Sequence, residues 1–279
     1  MSNENGSGSF EVIMSKALMI PGIKVDRKEF LAKSFSNHVP SETLGKIVEK
    51  GPIEAGVDIA TINKVAKKLV TNRTLTTSSA SFAAGIPGGF AMVATVPADA
   101  LQFFGIALRL AQEIGYLYGY EDFWDEEGIN PESVNGDLVL FLGVMFGVGG
   151  SVTAMKFLSS KLSEQALKKI PQMALTKTFY YPIIKKIAGF IGVKMTKDIF
   201  AKGVSKVIPV LGGIVSGGLT FASMSQMGKR LTTALAQTIN FDEKDYQKNF
   251  EEFKKEHSDI IDVEFEDIIE TDTETEVLT

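Results

Sequence analysis

The chain has 279 residues, a formal net charge of −5 and no cysteine, which excludes disulfides, thiolate metal sites and a cysteine nucleophile. With only His38 and His257, a histidine-built metal centre is close to excluded too. The acidic balance argues against a general nucleic-acid binder, and a mean hydropathy of +0.10 is not that of a chain threaded many times through a bilayer.

Apolar residues at 44% and charged residues at 23% suit a folded protein of one large domain or two small ones. Residues 1–9 are polar, read as a disordered leader and lack the basic start of a signal peptide, so the simplest expectation is a cytoplasmic chain. Residues 10–78 predict short amphipathic helices. Asp26 and Glu29 have capping-box spacing ahead of Phe30, Leu31 and Phe35. Pro40-Ser41 starts a second helix through Leu44, Ile47 and Val48. Pro52 suits the first turn of a third, which carries Ile59, Ile62, Val65, Leu69 and Val70 at helical spacing.

Residues 79–235 form the apolar middle. Thr74–Ala98 holds no charge and contains Gly85-Ile86-Pro87-Gly88-Gly89, with Pro97 closing the stretch. Ala98–Tyr120 predicts one long helix with Leu101, Phe104, Ala107, Leu108, Ala111, Ile114 and Leu117 on its apolar side. After an acidic loop come two further uncharged stretches, Leu138–Met155 and Val207–Gly228. Both approach the ~20 residues that cross a hydrocarbon core, yet glycine, serine or proline interrupts each. Three fates stay open for them: a span, a buried helix, or a hairpin dipping into one leaflet. Glycines recur four apart at Gly85 and Gly89, Gly115 and Gly119, Gly143 and Gly147, and Gly213 and Gly217. On a helix this spacing clears a groove for close backbone packing; alternatively the glycines end helices, a reading of equal weight at Gly85 and Gly89.

From Lys156 to Lys206 eleven lysines face only Glu164 and Asp198, without an arginine. Aromatic and branched residues interleave them, as suits long side chains snorkelling at a headgroup layer. The membrane-contact candidates are Lys177, Lys185, Lys186, Lys194, Lys197, Lys202 and Lys206. Residues 236–258 predict an amphipathic helix, and Asp259–Thr279 a flexible acidic tail with apolar anchors, suited to docking on the lysines or on a protein partner.

A motif search finds no phosphate loop, nucleophile elbow or metal pair. Gly147-Val148-Gly149-Gly150 does not make a dinucleotide fingerprint. One constellation remains. Asp99, Gln102, Arg109, Gln112, Glu113 and Tyr116 recur at helical spacing along the long helix. They are either its solvent-facing flank or, if the helix is buried, a paired polar seam, with Arg109 and Glu113 within direct reach.

Several segments resemble bacterial EcsC-family proteins. They are Gly85–Gly89 with Pro97-Ala98-Asp99, Arg109-Leu110-Ala111 through Tyr118-Gly119-Tyr120, and Lys185-Lys186-Ile187 through Gly192-Val193-Lys194. The likeness continues through Phe200–Gly203, Ile208-Pro209, Gly212-Gly213 and Gly217-Gly218 to Met227–Leu231. It covers residues 79–235, neither the leader nor the tail. It implies an α-helical, cytoplasmic or membrane-associated protein and carries over no catalytic residue.

The expectation is therefore an all-α, multi-helix bundle of glycine-rich apolar helices, non-enzymatic, associating with anionic lipid at the cytoplasmic face of a membrane. It would use no cofactor or metal and bind no nucleic acid. Two alternatives stand beside it: a soluble regulator recruiting a protein partner through Asp259–Thr279, and a lipid or apolar-ligand domain, even a hydrolytic one, around Asp99.

Overall fold

The computed structural model describes residues 14, 16–77, 98–123, 136–159 and 217–239, and the side chains of these except 76–77, 98–100, 136, 157–159 and 217–223. The described residues are helices and turns without a strand. After the helical residues 14 and 16–18, the helices in chain order are α1 (Arg27–Phe35), α2 (Ser41–Lys50), α3 (Ile59–Thr77), α4 (Ala98–Leu117), α5 (Gly136–Phe146), α6 (Ser151–Ser159) and α7 (Gly217–Thr238).

The helix boundaries follow from local chemistry. Asp26 caps α1, its carboxylate accepting from Glu29 N–H at 2.7 Å. Pro40 precedes α2, and Gly51, at φ 92°, ends it. The start expected at Pro52 is corrected. Residues 52–56 form a turn in which Val57 N–H donates to Pro52 O, and Gly56 at φ 76° keeps that turn out of helical continuation. The cap of α3 is Asp58, whose carboxylate accepts from Thr61 N–H at 2.9 Å and from Thr61 Oγ1 at 2.6 Å. The bonds from Thr61 hold the Asp58 carboxyl below its ordinary range, so the cap stays ionised at neutral pH.

The interior is built on α4 and α7. Helix α4 packs on α1, α3, α5 and α7; α7 packs on α3, α4, α5 and α6. Where α3 packs on α7, the Val70 side chain sits against Gly228, where a Cβ would lie 2.8 Å from both of its methyl carbons. Helix α5 is buried on every side from Leu138 to Phe146. A helix apolar all round is a core element, and here its cover is protein.

The second uncharged stretch is not one rod. A turn at residues 147–150 divides Leu138–Met155 into α5 and the start of α6. The third enters α7, which runs on through Lys229 and Arg230. Among the described residues no helix is long and apolar enough to cross a membrane.

Two of the glycine pairs share one local explanation. Val148 N–H donates to Gly143 O at 2.8 Å and Gly147 N–H to Val144 O at 3.1 Å. Likewise Tyr120 N–H donates to Gly115 O at 3.1 Å and Gly119 N–H to Tyr116 O at 3.2 Å. Each is a Schellman stop, with the second glycine in the left-handed region at φ 71° for Gly147 and 88° for Gly119. The four-residue spacing is therefore the distance between the two ends of the stop. Gly147 terminates α5 in the left-handed region, and a Cβ there would also meet Arg230 Nη1 at 3.1 Å. Gly115 does both jobs, since a Cβ would come within 2.7 Å of Phe141 and 2.8 Å of Phe123. Gly217 opens α7, its surroundings undescribed, and Gly85, Gly89 and Gly213 lie outside the described residues.

Candidate functional site

The polar stripe of α4 turns inward. Gln112, Glu113 and Tyr116 are fully buried, Arg109 and Gln102 are half-buried, and Asp99 lies in the first turn with its side chain outside the description. Burial on this scale demands partners, because an unpaired polar group in the interior costs about 1–3 kcal/mol.

Gln112 finds its partners in the segment before α1. Its amide nitrogen donates to Ile23 O at 3.0 Å and to Leu108 O at 3.1 Å, and its oxygen accepts from Val25 N–H at 3.1 Å. One side chain thus pairs with a backbone acceptor and a backbone donor two residues apart, groups that no helix or sheet bonds there. Arg109 extends the clamp by donating to Gly22 O. Ile20 and Ile23 fill the space beside Gly105, where a Cβ would meet Ile23 Cδ1 at 3.2 Å.

Glu113 sits between two arginines. Arg73 Nε donates to Oε2 at 2.7 Å, Arg73 Nη2 donates to Oε1, and Arg109 Nε donates to Oε1 at 3.0 Å. The expected Arg109–Glu113 pair is present; Arg73, on α3, is the member that sequence reasoning missed. A signal existed: Arg73 continues the buried face of Ile62, Val65, Ala66, Leu69 and Val70, so an arginine there needs an acid on whatever packs against it.

Beyond Glu113 the stripe ends in aromatics. Tyr116 donates to Asp122 Oδ1 at 3.1 Å and stacks on Phe123 with ring centroids 5.1 Å apart. Burial, reinforced by the Asp122 charge, pushes its phenol above the ordinary range. Tyr120 and Phe141 meet edge to face at 4.7 Å beside Gly115. On the opposite side, Tyr118 donates to Asn63 Oδ1 at 2.6 Å, and burial pushes its phenol up to about 12.

The stripe therefore binds the molecule to itself. Gln112 and both oxygens of Glu113 are engaged, and the partners come from the N-terminal segment and α3. This is a brace across three elements. Of the remaining candidates, Lys177, Lys185, Lys186, Lys194, Lys197, Lys202, Lys206 and Asp259–Thr279 lie outside the described residues. Among the described residues no cluster of acids or histidines is arranged to hold a metal ion.

Compared with protein-family models, with curated proteins and with solved structures, the chain matches none.

Proposed function

We propose that the protein is a non-enzymatic, EcsC-like helical protein that rests on the anionic, cytoplasmic face of a bacterial membrane, held there by its lysine-rich segment. The observation that carries this reading is the charge division between residues 156 and 206, eleven lysines against two acids without an arginine. Attraction to an anionic leaflet contributes ~1 kcal/mol per basic residue near the surface, and interleaved aromatics such as Phe179, Tyr180 and Tyr181 suit the headgroup layer. The contact in this reading is peripheral. That form is supported by α5, whose apolar surface is spent inside the protein, and by the turn that splits Leu138–Met155.

Co-sedimentation with vesicles tests it. Binding is expected to vesicles containing phosphatidylglycerol and not to pure phosphatidylcholine, and to fall steeply with salt. Changing Lys185, Lys186, Lys194 and Lys197 together to glutamine is expected to weaken binding by about two to three orders of magnitude, from ~1 kcal/mol at each site. Equal binding to both vesicle types, or to neither, would overturn the reading. Deleting residues 259–279 is expected to strengthen vesicle binding, because the acidic tail competes for the same lysines.

A further inference from the structure

A cleft of about 600 Å³ lies between the α5–α6 turn and helix α7, a volume within the range of small-molecule sites. Its lining is divided. Val144, Val148 and Val152 make an apolar wall, and Lys229, Arg230 and Gln226 of α7 supply the polar one. Among the described residues no acid lines the cleft, and no carboxylate pairs with Lys229 or Arg230. Arg230 is oriented by donating from Nη1 to Met145 O at 3.2 Å, and Gly147 leaves room for the guanidinium, which a Cβ would meet at 3.1 Å.

A second observation comes from the turn. Gly147 and Gly150 have positive φ, at 71° and 81°, and the fold explains both. Gly149, between them, does not share that conformation, and among the described residues a Cβ placed on it meets nothing within 4 Å. Neither backbone geometry nor packing calls for glycine at this exposed position, which lines the cleft. The missing side chain leaves the main chain at Gly149 open to close approach by a ligand.

We infer that this cleft binds a single-chain amphiphile with a phosphate-bearing head. The head lies against Lys229, Arg230 and the backbone of Gly149, and the chain runs along the valines. Two cations without acids select an anion, and charge-assisted bonds to its oxygens are the stronger kind. The apolar wall distinguishes an amphiphile from a free ion. Among the described lining residues none belongs to the lysine segment.

Calorimetry on the full chain with dodecyl phosphate below its micelle concentration is the test, with inorganic phosphate and dodecyl maltoside as the other arms. Saturable binding of dodecyl phosphate is expected, about tenfold or more tighter than that of inorganic phosphate, as loss of the apolar contact predicts, with no saturable binding of the maltoside. Lys229→Gln is expected to weaken dodecyl phosphate by about tenfold, the loss of one charge-assisted bond. Gly149→Val is expected to weaken it comparably by blocking the approach, with the thermal midpoint unchanged in both variants. Equal binding of the maltoside, inorganic phosphate as tight as the amphiphile, or two folded variants that bind like the parent would each overturn the inference. Vesicle sedimentation separates this from the surface reading. Variants that lose dodecyl phosphate yet still sediment with anionic vesicles leave both standing; a parent that binds the amphiphile but ignores vesicles overturns the surface reading alone.

Discussion

At the level of single residues, arginine and lysine divide their work. The chain has four arginines, Arg27, Arg73, Arg109 and Arg230, and each bonds to a group distant in sequence or buried. Arg27 is 7% exposed; its Nε donates to Tyr120 O at 3.0 Å and its Nη1 to Val48 O at 3.4 Å. It thereby joins the C-terminal ends of α4 and α2, where helix dipoles favour a cation. Lysine has no fork to bridge two carbonyls, so Arg27→Lys is expected to lower unfolding stability by about 1–2 kcal/mol, read from urea denaturation. Glu113→Gln is expected to cost about 2–3 kcal/mol, less than a fully buried ion pair because water reaches both arginines. Tyr118 adds a pH signature. Its folded phenol titrates at about 12 against 10.0 for an ordinary tyrosine, so the unfolded chain loses its proton first as pH rises. Stability from this group is full below pH 10 and declines from there towards pH 12. Urea midpoints at pH 9 and pH 11 check it: Tyr118→Phe is expected to reduce the difference between them, leaving the share that Tyr116 contributes.

At the level of elements, the glycines show how far local pattern reaches. The four-residue spacing is visible in the chain, but a packing groove and a Schellman stop produce the same spacing. What separates them is the sign of φ and the destination of two N–H groups, neither written in residue identity. The two uses respond differently to alanine. Gly147→Ala forces a side chain into the left-handed region and is expected to cost about 1–2 kcal/mol through backbone strain. Gly115→Ala has ordinary helical geometry and gains helix propensity, yet it drives a methyl into Phe141 and Phe123. Overpacking of about 1–3 kcal/mol is expected to win, reported by thermal unfolding. The cap of α3 was equally legible: Asp58 and Thr61 stand three apart ahead of Ile62, Val65 and Ala66. Pro52 masks it, because a proline at a first helical turn and a proline in a loop turn look alike in sequence.

For the whole molecule, the all-α class and most of the interior follow from periodicity: Leu101, Phe104, Ala107, Leu108, Ala111, Ile114 and Leu117 form the predicted face of α4 and are all buried. The inward turn of the polar stripe was not legible, because whether Gln112 and Glu113 meet water depends on what packs beside them. Their partners are Ile23, Val25 and Arg73; the position of Arg73 on α3 calls for an acid without naming which one, and nothing local points to Ile23 or Val25. The same separations bear on how the chain is made. Gln112 contacts Ile23 and Val25 across 89 and 87 positions, and Arg27 reaches Tyr120 across 93. At the ribosome, at about 5–20 residues per second, residues 16–26 emerge several seconds before the helix that will hold them. Their apolar side chains, Leu18, Ile20 and Ile23 among them, are buried in the folded chain and spend that interval without this cover.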